Sequence, residues 1–175
     1  MIEFGIYIID DTFYNRFSKY DLKDNKSEKR PHCFCFSNTK YKDILWVIPL
    51  STQVSKYQNV MNKRKANHKP CDIIHICKLD NGKLNVFSIQ DMFPVTKQYV
   101  KRPYTFAGNH LVLTNKTDIE IILSKATRIK NQIERGSIFI PEQVKALEIK
   151  QELINDLRNN TNVIAANADQ PNKFI

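Results

Sequence analysis

An apolar run, Ile44-Leu-Trp-Val-Ile-Pro-Leu50, ends in two hydroxyl residues, Ser51 and Thr52, and Lys56 follows four positions later. A strand that stops and a helix that starts at this point would present unpaired backbone N–H groups beside two hydroxyls and a cation. That is the composition of an anion site. The plainer reading of the same residues is an ordinary helix cap. A second candidate is His32, which follows Lys29-Arg30-Pro31 and opens an alternating apolar segment. An imidazole titrates near pH 6.5, and adjoining cations lower that value, so it can give or take a proton near neutrality. Its plainer reading is a strand-end surface histidine.

Other chemistry has less support. Cys33 and Cys35 alternate inside an apolar segment, and Cys71 and Cys77 with His68 and His75 match no zinc-ligand spacing, so no metal centre is expected. With only four glycines there is no Gly-rich phosphate loop. No carboxylate pair sits in an apolar frame, which argues against a two-metal nuclease. The four cysteines read as small core residues.

Positive charge is concentrated. Residues 1–115 hold 18 basic and 10 acidic residues, whereas 116–175 hold 9 and 8. From Lys56 to Lys69 there are five cations (Lys56, Lys63, Arg64, Lys65, Lys69) and no acid, and Lys97, Lys101 and Arg102 stand beside Tyr99, Tyr104 and Phe106. Cations interleaved with rings suit a nucleic acid, where phosphates meet charge and bases stack. A solvated basic face over core aromatics is the alternative.

The elements that must position these residues follow from periodicity. Residues 2–9 read as a strand, and Phe13, Phe17 and Tyr20 have helical spacing over 12–20 behind a cap at Asp11 or Thr12. Residues 21–31 form a charged loop. Strands are expected at 32–37, 44–50, 72–79, 84–89 and 92–97, with Asp80-Asn81-Gly82 as a hairpin turn, and a last short one at 109–113. A short helix or turn follows Ser51-Thr52. Thr117-Asp-Ile-Glu120 has capping-box spacing ahead of an apolar stripe that includes Ile119, Ile122, Leu123, Ala126, Ile129 and Ile133, and Gly136 stops it. Pro141 opens a second helix to about Leu157, with Val144, Leu147, Ile154 and Leu157 inward, and the Asn-rich residues 159–175 read as a frayed tail. The expected class is α+β: a strongly bent or barrel-like antiparallel sheet followed by two C-terminal helices.

With 175 residues and 42% apolar content, the chain is long and apolar enough for one folded domain, expected over 1–158. A net charge of +9 favours acidic partners. No apolar run approaches the roughly 18 residues a membrane span needs. The N-terminus lacks the basic start and small-residue cleavage site of a secretory signal, so a cytoplasmic location is expected.

Four segments together resemble the endoribonuclease toxins of type III toxin–antitoxin systems, the ToxN/AbiQ group, and within it the CptN-like branch. They are Asp11-Thr-Phe-Tyr-Asn-Arg-Phe-Ser-Lys-Tyr20, Arg30-Pro-His-Cys-Phe-Cys-Phe36, Ile48-Pro-Leu-Ser-Thr52 with Lys56, and the helix beginning near Thr117. The resemblance covers about residues 2–158. It implies a compact, bent antiparallel sheet similar to Kid/MazF-like toxins. It implies metal-independent, sequence-preferring cleavage of RNA, cellular mRNA included, to a 2′,3′-cyclic phosphate, with no cofactor. It also implies inhibition by a small antitoxin RNA, cut by the toxin from tandem repeats and then bound. Relatives carry Thr-Ser where this chain has Ser51-Thr52, and other branches carry Lys where it has His32. On this reading Ser51 and Thr52 hold the phosphoryl oxygens, Lys56 neutralises developing charge and His32 moves a proton. Arg30, Lys63, Arg64, Lys65, Lys69, Lys101, Arg102 and Tyr104 are the RNA-binding candidates.

Overall fold

The computed structural model describes residues 1–23, 25–140 and 142–168, with the side chains of 160–168 excepted. Its elements are β1 (Ile6–Ile9), α1 (Asp11–Arg16), β2 (Pro31–Ser37), β3 (Leu45–Ser51), α2 (Val54–Ala66), β4 (His75–Lys78), β5 (Leu84–Phe87), β6 (Phe93–Val95), β7 (Val100–Pro103), β8 (Thr105–Phe106), β9 (Asn109–His110), α3 (Lys116–Glu134) and α4 (Ala146–Ala168). Short 3-10 turns follow α1 at Ser18–Tyr20, β5 at Ile89–Asp91 and β6 at Lys97–Tyr99. The class is α+β with an antiparallel sheet, as the periodicity predicts.

The main sheet runs β4-β5-β3-β2-β1-β7, with β6 also on β3. Its end strands do not pair with each other, so the sheet is open and not closed into a barrel. β3 changes partner along its length: Leu45–Val47 face β6, whereas Leu50 and Ser51 face β5. Register also shifts between Ile8 and Ile9 and between Phe34 and Phe36. Such irregularities bend and twist strands.

β3 is buried on both faces, which its unbroken apolar run requires. Against this sheet α1 packs Phe13 and Phe17. The Phe13 ring centre lies 5.3 Å from that of Phe93 and 5.2 Å from that of Tyr99. α3 buries Ile122, Ala126, Ile129 and Ile133, the expected stripe, while Leu123 stays 40% exposed. Gly136 closes that end with φ 79°, donating its N–H to the Ile133 carbonyl.

Several expectations need correction. β1 begins at Ile6 rather than 2, because Phe4 takes a left-handed φ of 59°. The caps of α1 and α3 are Asp10 and Asn115, which accept from Thr12 N and Asp118 N, so none of Asp11, Thr12 and Thr117 holds that place. α2 is a full 13-residue helix. β7 stands where no strand is expected. α4 starts at Ala146 and continues to Ala168, so the tail boundary at 159 falls inside a helix; residues 169–175 and the helix-opening role given to Pro141 lie outside the described residues.

Candidate functional site

The loop before β2 carries most of the candidate site's charge, and its shape is held by a buried side chain. Asn25 is 3% exposed. Its Nδ2 donates to the Ile9 carbonyl at 2.9 Å and to Asp11 Oδ1 at 2.8 Å. Its backbone carbonyl accepts from the N–H groups of Lys29 and Arg30, both at 3.2 Å. Between these ties Lys26, Ser27 and Glu28 all adopt left-handed φ angles of 52°, 51° and 60°. Outside glycine that conformation costs about 1–2 kcal/mol per residue. Glu28 is held in turn: its Oε2 lies 2.6 Å from Lys101 Nζ, and its Oε1 accepts from Asp11 N at 3.1 Å. These bonds keep the Glu28 carboxyl below its usual range and hold the Lys101 ammonium above its own. The strain is local, so Ser27→Gly is expected to raise stability by roughly 0.5–1 kcal/mol, read as an upward shift in a thermal melt.

The loop forms one wall of a surface cleft of about 80 Å³, lined by Lys26, Lys29, Arg30, Pro31, Leu50, Ser51, Thr52 and Asn85. The other wall is the end of β3 and the neighbouring β5, set by the pairing of Ser51 with Val86. Three cations, two hydroxyls and a carboxamide thus converge, and among the described residues no carboxylate lines the cleft. Ser51 is the last residue of β3 and not a helix cap; its Oγ accepts from Gln53 N at 3.2 Å. No side chain caps the first turn of α2. A larger hollow of about 280 Å³ lies between α3 and α4, but much of its lining is apolar and it sets two carboxylates, Asp21 and Glu148, against one cation, Lys145, the wrong charge for an anion.

His32 does not open on the cleft. It is fully buried, with its ring centre 5.5 Å from that of Phe93 and its Nε2 sharing a 2.7 Å hydrogen bond with the Tyr14 hydroxyl. Its Nδ1 has no hydrogen-bond partner among the described residues. Burial, and secondarily the Arg30 cation, pull its pKa down to about 3, opposed only weakly by the Arg30 backbone. The imidazole is therefore neutral at physiological pH. The expectation of a surface strand-end histidine fails because β2 is covered on this face by Phe93 and Tyr14, neighbours that are remote in sequence.

Beneath Arg30 lies a cavity of about 10 Å³, the size of one water, lined by Tyr14, Lys23, Arg30, Asp91 and Phe93 among others. Asp91 is 1% exposed; its Oδ2 accepts from Lys23 Nζ at 2.6 Å and Ser88 Oγ at 2.5 Å. This ion pair fastens the charged loop to the sheet from below.

The remaining sequence candidates divide by place. Lys56 stands in the first turn of α2 but is not part of the cleft lining; its Nζ lies 6.0 Å from the Tyr57 ring centre. Lys63, Arg64 and Lys65 form the last turn of α2, about 15 Å along the helix from Val54, where they also complement the helix dipole. Arg64 Nε donates to the Pro70 carbonyl at 3.0 Å, which folds the Lys69 turn back on the helix. Arg102 is exposed and sits opposite Ile8, which in turn sits opposite Pro31, so it stands about 10 Å from the cleft rim. Lys101 is engaged with Glu28 and acts on the loop. Tyr104 is half-buried against the core. The cleft adds Lys26, Lys29 and Asn85, which sequence reasoning misses; only the charge of the loop hints at the first two. No protein-family model matches the chain, and no curated protein is similar to it.

Proposed function

We propose that the chain is a metal-independent endoribonuclease toxin held in check by a small RNA, and that the cleft between the Lys26–Arg30 loop and Ser51-Thr52 takes the scissile phosphate. The observation that carries the reading is the meeting of Arg30 with Ser51 and Thr52 in one cleft whose described lining holds no carboxylate. RNA supplies its own nucleophile, the 2′-OH, so the protein must align the phosphate, move two protons and stabilise charge on the phosphoryl oxygens. Arg30 offers a fork of donors to those oxygens. The Ser51 and Thr52 hydroxyls add donors from the opposite wall. Lys26 and Lys29 are the proton carriers within reach, and Lys56 joins them only by turning from Tyr57. His32, buried and neutral, positions Tyr14 and the β2 start instead of meeting substrate.

The bent antiparallel sheet with helices packed on it accords with a Kid/MazF-like architecture, and the basic surface accords with an antitoxin RNA from tandem repeats, cellular mRNA as substrate and a cytoplasmic setting. The burial of His32 away from the cleft favours a second reading, a basic RNA-binding module without catalysis. Incubating total RNA with pure protein in EDTA separates them. Cleavage with 2′,3′-cyclic phosphate ends supports the nuclease, and intact RNA bound tightly supports the module.

Under either reading we place the bound RNA strand across the cleft and on towards the cations in the last turn of α2. Neutralising Lys63, Arg64 and Lys65 together is expected to flatten the log–log dependence of RNA affinity on salt by up to about 0.7 for each phosphate left without its cation. An unchanged slope removes that turn from the interface.

A further inference from the structure

On the far side of β5 from β3 a second cluster brings together three residues that the cleft does not use. His75 and Cys77 are two apart on β4 and project from one face. Asp118 reaches them from the first turn of α3, where Asn115 Oδ1 accepts its N–H at 3.0 Å and fixes the turn. His75 Nε2, Cys77 Sγ and an Asp118 carboxylate oxygen all lie within 4.8 Å of one another. His75 and Cys77 are buried, and Asp118 sits at the opening, with its side chain 23% exposed.

We propose that His75, Cys77 and Asp118 form a zinc site that fastens α3 to the edge strand β4, with water in the fourth position. Sulfur, imidazole nitrogen and carboxylate oxygen are the three donor types zinc takes from proteins. With bonds of about 2.0–2.3 Å, tetrahedral donors stand roughly 3.3–3.6 Å apart. The present separations reach that range by small rotations: the 2.7 Å separation of Nε2 and Oδ1 opens by about half an ångström, and Sγ closes inward. Charge balances as well. A thiolate and a carboxylate neutralise one divalent ion, so the filled site places no net charge in this half-buried position.

In the metal-free state burial, with Asp118 adding to it, pushes the Cys77 thiol up to about 12. That disqualifies Cys77 as a free nucleophile, but a coordinated thiol gives up its proton to the metal. Binding therefore releases one proton, from Cys77, while His75, whose Nε2–H donates to Asp118 Oδ1 in the metal-free state, shifts that proton to Nδ1 and offers Nε2. Lys125 approaches from α3 with its Nζ donating to the Ile74 carbonyl at 2.9 Å, and its cation opposes the metal. Desolvation lowers the His75 pKa, against the opposing pull of Asp118, and so favours the neutral form that ligates. The zinc site is independent of the nuclease reading, and ligand spacing along the chain has no means of including Asp118.

The test uses the full chain, stripped of metal by a chelator and titrated with cobalt(II) as a coloured stand-in for zinc. About one cobalt per chain is expected to produce the near-ultraviolet charge-transfer band of a cobalt–thiolate bond, and zinc should bleach it. Cys77→Ser should lose the band, and Cys71→Ser should keep it. Because Cys77 is buried, Asp118→Asn provides a milder variant, expected to weaken cobalt at least tenfold and to abolish the rise in Tm that zinc gives the unaltered chain. Folded protein with no band at one equivalent overturns the proposal. So does a band that survives in folded Cys77→Ser, or an affinity unchanged in Asp118→Asn.

Discussion

Replacing Arg30 by alanine is expected to lower RNA cleavage by about 10²–10³-fold in a single-turnover assay, the range for losing one group that stabilises charge as it develops. Arg30 is the cation best placed for this, because it follows the Asn25 tether directly and Pro31 fixes the backbone behind it. Arg30→Lys should recover only part of the loss, since an ammonium keeps the charge but not the two-pronged donor geometry. Thr52→Ala, or Ser51→Ala for at least one of the pair, should cost about 10²-fold by the same reasoning. Ser51 and Thr52 lie at the cleft rim, so their alanine variants should melt close to wild type. Arg30→Ala is compared at a temperature where its own melting curve shows it folded, and the inactive variants should still bind the antitoxin RNA. Lys56→Ala should have a smaller effect than Arg30→Ala, because Lys56 is outside the cleft lining. Wild-type rates in folded Arg30→Ala and Thr52→Ala would remove this cleft from the chemistry.

The parts of the fold that periodicity makes legible are those whose burial is set along one segment. β2 and β3 read as strands because aromatic and β-branched residues fill them, and α3 because its stripe repeats at helical spacing. β7 is illegible for the opposite reason. Lys101, Arg102 and Pro103 look like a loop, yet an edge strand tolerates charge and proline. The caps move by one or two residues because a cap is decided by which side-chain oxygen meets which N–H, and several candidates stand side by side.

The site divides in the same way. Ser51 and Thr52 are legible because a strand ending in hydroxyls is a local pattern. Arg30 is legible by its charge. The cleft itself joins segments spread from Lys26 to Asn85, and nothing in the spacing of those residues announces the pairing of β3 with β5 that brings them together. The zinc candidate has the same character, with Asp118 contributed by a helix 43 positions from His75.

His32 departs furthest from its expected place, and it carries the second large effect. Its neighbours Lys29 and Arg30 suggest a surface, but residues alternate across a strand and Phe34 shares its face. That face is closed by Phe93 and Tyr14. The consequence is a steep acid dependence of stability. The folded-state pKa of about 3 lies below the value of about 6.5 in the unfolded chain. Between those values the unfolded state holds a proton on His32 that the folded state refuses. Stability is therefore complete above about pH 6.5 and falls as pH drops toward 3, by up to about 1.4 kcal/mol per pH unit. From pH 6 to pH 4 this amounts to roughly 2–3 kcal/mol, a large share of the 5–15 kcal/mol typical of a domain. His32→Asn removes the titration while keeping a polar partner for Tyr14. Its stability, measured by denaturant melts at pH 4, 5 and 6, should fall with acid less steeply than wild type by about that amount. Carboxylates that also respond to acid are common to both chains and cancel in the difference. Parallel curves for the two proteins would mean that His32 accepts a proton while folded despite its burial.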